Sequence, residues 1–68
     1  MKIFINGEVK ELDENQSSLE KFIEILGYHP KLIVIELNGR ILPPSKWHDQ
    51  ELKDNDSLEI VTIVGGGS

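Results

Sequence analysis

The last four residues, Gly65-Gly66-Gly67-Ser68, follow directly on the apolar run from Leu58 to Val64. Glycine has no Cβ, so a tail of this composition can pass a narrow channel, and its acyl carbon stays open to attack from either side. A carboxylate on such a tail is a group that a partner enzyme can activate. The same string also reads as a flexible linker, and its place immediately after an apolar strand is what raises the chemical reading. Three extended residues reach only ~10 Å, so the partner must dock close to the last strand. Val61 and Ile63, on one face of that strand, are the expected docking surface; cover by the chain's own loops is the alternative.

Other chemistry-bearing residues read as turns and surface. Ser45, His48 and Asp49 include the residue types of a hydrolase triad, but three residues within five make one only with the right geometry and an oxyanion hole. His29 and His48 are far apart in the chain, with no third ligand at metal spacing. Asp54 and Asp56 resemble the start of a calcium loop, yet the glycine and the distant glutamate that complete one are absent. No metal site is expected.

The elements that must hold the tail can be read in order. Ile3, Phe4 and Ile5, then Asn6-Gly7, then Glu8 to Leu12 make two strands joined by a tight turn with both central residues at positive φ. Ser17-Ser18-Leu19-Glu20 offers a capping box, with Ser17 as the cap and Glu20 reaching back. Leu19, Phe22, Ile23 and Leu26 then fall on one helical face. Gly27 suits the left-handed position that ends a helix, Tyr28 can fold back near Ile23, and Pro30 holds His29 extended. Leu32 to Leu37 reads as a strand inside a sheet, Asn38-Gly39 as a second tight turn and Ile41-Leu42 as a short return. Pro43-Pro44 breaks it before one helical turn through Trp47, an indole expected in the core. Asp54-Asn55-Asp56 is a turn, and Leu58 to Val64 is the last strand, with Leu58 and Ile60 on the face opposite Val61 and Ile63.

With 68 residues, the chain has room for one domain, residues 1–64, followed by a glycine-rich tail, residues 65–68. A composition of 38% hydrophobic and 28% charged residues suits a soluble globular protein. A core this small gives little support to a catalytic cleft, so an independent enzyme is not expected. The net charge of -5 disfavours nucleic acid and favours a basic protein partner. Cysteine is absent, which removes thiolate, disulfide and iron–sulfur chemistry. The opening residues turn polar too early for a signal-peptide core, and no run approaches the roughly 18 apolar residues of a membrane span. A cytoplasmic location is the expectation, with no membrane partner.

The order ββαβ(β)β, with one amphipathic helix to cover one face of a mixed sheet, is that of an α+β fold of the β-grasp, ubiquitin-like type with four to five strands. Its first and last strands are expected to pair in parallel at the centre, since the helical crossover between them allows it. Across nearly its whole length the sequence resembles the sulfur carrier proteins of thiamine thiazole biosynthesis, which are relatives of ubiquitin. The residues that carry the resemblance are Asn38-Gly39 followed by Ile41-Leu42-Pro43 and Trp47, Asp54 and Asp56 before the last strand, and Ile60 to Val64 running into Gly66-Gly67.

The resemblance implies a non-catalytic carrier. Gly67 would be adenylated with ATP by a ubiquitin-activating-like adenylyltransferase, converted to a thiocarboxylate and used by a thiazole synthase, with Gly65 and Gly66 as the thin tail. No cofactor would be bound; ATP would be consumed by the activating partner. Two positions depart from the pattern. Pro44 stands where the family often has arginine, and Ser68 follows the glycine whose free carboxylate must be activated. A carrier for molybdopterin synthesis or tRNA thiolation, or a protein modifier, would share this fold and tail. A reading of another class is a binding module that recognises proteins through a sheet edge, with an inert tail.

Overall fold

The structure, a computed structural model, describes residues 1–63. Five strands and one α-helix succeed one another: β1 (Lys2–Ile5), β2 (Glu8–Glu11), α1 (Leu19–Leu26), β3 (Ile33–Leu37), β4 (Arg40–Leu42) and β5 (Ser57–Thr62). The sheet order is β2-β1-β5-β3-β4, with β1 parallel to β5 and the other pairs antiparallel. This is the β-grasp arrangement expected from the sequence, with the chain's first and last strands side by side.

Both tight turns form as their sequences require. Asn6 and Gly7 have φ of 49° and 84°, and Asn38 and Gly39 have 52° and 86°, the two successive positive values that make a hairpin turn follow the twist of its strands. Gly27, at φ 83°, ends α1; its N–H donates to Glu24, and the Tyr28 N–H reaches back to the Ile23 carbonyl. His29 is extended before Pro30.

The start of α1 differs from the capping box read in the sequence. Ser18, not Ser17, is the cap, accepting from the Lys21 N–H at 3.4 Å. The reason is tertiary. Gln50 to Leu52 passes antiparallel to this segment, so that Leu19 N–H donates to Gln50, Leu52 N–H donates to Ser17, and the Ser17 hydroxyl donates to the Glu51 carboxylate. With Ser17 held by that crossing chain, the cap moves one residue on.

One cluster forms the core: Ile3, Leu19, Phe22, Ile23, Ile33, Ile35, Trp47, Leu52, Leu58 and Ile60. Leu26, the fourth residue of the helical stripe, is partly buried against it. Trp47 sits on a 3₁₀ turn, Pro44–Asp49, that packs against α1; its indole N–H donates to the Leu42 carbonyl at 2.9 Å, so burial leaves no orphaned donor. Leu32 lies outside the strand expected for it, in a 3₁₀ turn over Pro30–Leu32, and is exposed. Among the described residues no helix is long and apolar enough to cross a membrane.

Phe22 is 4% exposed, so Phe22→Ala should cost about 3 to 5 kcal/mol. Loss of the cap in Ser18→Ala should cost about 1 kcal/mol. Urea midpoints check both; a midpoint unmoved in Phe22→Ala would contradict the packing of α1.

Candidate functional site at the root of the tail

β5 leads to the tail, and it is held from both sides. Toward β3 the register runs from Ile33 opposite Thr62 to Leu37 opposite Leu58. Toward β1 it is shorter, Phe4 opposite Ser57 and Ile5 opposite Leu58, because β1 turns away at Asn6. The Asn6 side chain continues the ladder in place of backbone: its Oδ1 accepts from Ile60 N–H at 2.7 Å and its Nδ2 donates to Ile60 carbonyl at 3.2 Å. The Asn6 N–H meanwhile donates to Leu58 at 2.8 Å.

Asn38 makes a matching grip from the opposite side. Its N–H donates to the Ser57 carbonyl, its Oδ1 accepts from the Ser57 N–H, and its Nδ2 donates to Asp56 Oδ1 at 2.9 Å. The Asp54-Asn55-Asp56 turn is similarly occupied: Asp54 accepts from Lys2 N–H at 2.7 Å and Asp56 Oδ2 from Lys53 N–H at 2.8 Å. These carboxylates accept from the backbone at the start of β1 and in the turn that precedes β5. From the sequence alone both asparagines are turn formers only. Their side-chain roles become visible once the turns flank one strand, and the available signal was that each sits beside a glycine at a strand end.

Register defines what faces outward. Leu58 and Ile60 are buried, whereas Val61 is 57% and Ile63 48% exposed, as expected for the two faces of the strand. Paired residues share a face, so Val34 opposite Val61, Glu36 opposite Glu59, and Ile41 opposite Glu36 extend the outer surface across β3 and β4. Glu36 and Glu59 thus stand opposite one another in a partly apolar setting. Val64, Gly65, Gly66 and Gly67 lie outside the described residues.

The remaining candidates stay apart from this site. His48 Nε2 lies 3.3 Å from Asp49 Oδ2, both side chains exposed on the 3₁₀ turn. His29 Nδ1 accepts from the Lys31 N–H in a local turn.

Comparison with known proteins places this geometry. The model of the ThiS family matches residues 3–67. The chain belongs to the ThiS family. A sulfur carrier protein ThiS from Bacillus subtilis is 29% identical over 63 residues, 93% of this chain and 96% of that protein. A thiazole synthase from Paramagnetospirillum magneticum is 35% identical over 68 residues, which are 100% of this chain but 21% of that longer protein. Among solved structures, ThiS from Geobacter metallireducens, a thiamine biosynthesis protein, superposes with a TM-score of 0.82 at 26% identity, covering 98% of this chain and 100% of that one. The β-grasp fold of the ThiS family is therefore shown by sequence and structure alike.

Asn6→Gly keeps the left-handed turn and removes only the side chain that grips Ile60. It should cost about 1 to 3 kcal/mol, because two backbone groups of β5 lose their partner. Amide exchange at Ile60 should accelerate relative to Ile35; equal protection in variant and parent would remove the role given to this side chain.

Proposed function

We propose that this chain is a cytoplasmic, non-catalytic sulfur carrier for thiazole formation in thiamine biosynthesis, with Gly67 as the residue that bears the sulfur. The observation that carries the reading is the family match through residue 67, which takes in Gly65, Gly66 and Gly67 of the tail and stops before Ser68. The likeness to a Bacillus protein named as a sulfur carrier, and to part of a thiazole synthase, supports the pathway.

In the chemistry that follows, a Gly67 carboxylate oxygen attacks the α-phosphorus of ATP on an adenylylating enzyme and pyrophosphate leaves. A sulfide-level nucleophile then attacks the acyl carbon and expels AMP, leaving a thiocarboxylate for thiazole synthase. The chain's own contribution is presentation. β5 is fixed on both flanks, so the tail starts from a rigid strand, and glycine gives it the thinnest possible cross-section. Because adenylation needs a free carboxylate at that residue, Ser68 has to be removed first.

Docking falls to Val61 and Ile63, whose exposed apolar side chains shortly precede the tail in the sequence. Glu36 and Glu59 add a negative element to the same face, and the net charge of -5 steers a basic partner toward it.

The chain ending at Gly67 should support ATP–pyrophosphate exchange with its adenylylating enzyme, whereas the form retaining Ser68 should not, since an extra residue displaces the carboxylate by about 3.5 Å. Equal exchange by both forms, with the mass of the longer one unchanged, would exclude Gly67 as the activated residue. Val61→Asp or Ile63→Asp should speed dissociation from that enzyme, and rising salt should slow association. Surface plasmon resonance reads both; unaltered dissociation in the two variants would remove the docking face.

A further inference from the structure

The two flanks of β5 end at different places. In an antiparallel pair, backbone groups alternate between pointing at the neighbour and pointing away from it. The Ile63 N–H donates to Leu32 at 2.6 Å, so residue 63 points at the β3 side, and Thr62, opposite Ile33, points away. Leu58 and Ile60 have the same orientation as Thr62, and both are engaged from the β1 side, by the backbone and side chain of Asn6. Beyond Ile60 that supply stops, because Asn6-Gly7 has turned the chain into β2. Among the described residues no strand runs beside Thr62 on that side, and Thr62 is exposed.

We infer that the β1-side edge of β5 at Thr62 pairs with an extended strand of the enzyme that receives the tail, in the lane that β1 vacates at Asn6. This rests on the carrier reading above and names how that partner is held. The occupant follows from the tail's own composition. Gly65 to Gly67 offer a partner nothing except backbone N–H and C=O groups, so a channel that holds them extended does so by strand-like pairing. On the β3 side such pairing would meet Leu32, whose carbonyl is already taken by Ile63. On the β1 side, among the described residues, no strand lies beside Thr62. A cleft of about 250 Å³, lined by Ile5, Asn6, Glu8, Lys10, Leu26 and Tyr28, shares Asn6 with this lane.

Proline at residue 62 tests the lane without disturbing the sheet. It deletes the Thr62 N–H, which is aimed at the vacated side, and leaves the β3-side hydrogen bonds of residues 61 and 63 untouched. Thr62→Pro should therefore unfold within a few degrees of the parent yet bind the cognate thiazole synthase at least tenfold more weakly by calorimetry, while Thr62→Val should bind like the parent. In the unmodified chain, the Thr62 amide should exchange at least tenfold more slowly once the enzyme is bound, a reading that does not depend on how the proline variant folds. Parent-like binding by Thr62→Pro, or unchanged exchange at Thr62 in the complex, would overturn the lane and leave the carrier reading standing. Failure of the parent itself to bind thiazole synthase would overturn that reading and the lane's occupant together. Concentration-dependent dimers of the isolated chain that Thr62→Pro abolishes would hand the lane to a second copy and equally overturn the assignment.

Discussion

The parallel contact between β1 and β5 is the constraint from which the rest of the structure follows. Two strands running the same way cannot be joined by a tight turn, so the residues between them have to cross a face of the sheet. That crossing is α1, and its apolar stripe is what closes the core over Ile3, Leu58 and Ile60. The return journey through β3, β4 and the Trp47 turn brings the chain back to the middle of the sheet. A domain of this size has little area to bury, and placing β1 and β5 side by side inside the sheet lets each of the two strands be covered and paired at once.

This topology was largely visible in the residues, because the punctuation is unambiguous. Two Asn-Gly pairs, a helical stripe ending in glycine and a Pro-Pro break each have one dominant local solution. What was not visible came from contacts between distant segments. Ser17 carries the local signature of a cap, but Gln50 to Leu52 crosses it and takes its polar groups, so Ser18 caps instead. Leu32 has the apolar character of a strand residue, yet it is exposed because the chain is still turning after Pro30. The candidate site divides in the same way. The outward direction of Val61 and Ile63 follows from alternation alone, whereas the grips of Asn6 and Asn38 on β5 depend on which strands end up as neighbours.

The outer face of the sheet combines apolar side chains with like charges in opposed positions. Glu36 and Glu59 gain nothing from each other across β3 and β5, where opposite charges would have stabilised the pair. A surface optimised only for the isolated domain would not hold that arrangement beside exposed Val61 and Ile41. The proposed docking face rests on this combination, and the core on the other face supplies the stability that such a surface does not.

The asymmetry of β5 also has a mechanical consequence. A tail drawn into a channel pulls along the axis of the strand that bears it, and hydrogen bonds in a sheet lie across that axis. The load then falls in shear on the β3 ladder, the β1 ladder and the two asparagine grips together, rather than opening them one after another as a zipper would. An edge strand with one neighbour would have shared the same pull among fewer bonds. Under the proposed function, anchoring the tail on the innermost strand makes the domain a stiff handle, one that can be tugged into and withdrawn from an active site without its fold being peeled apart.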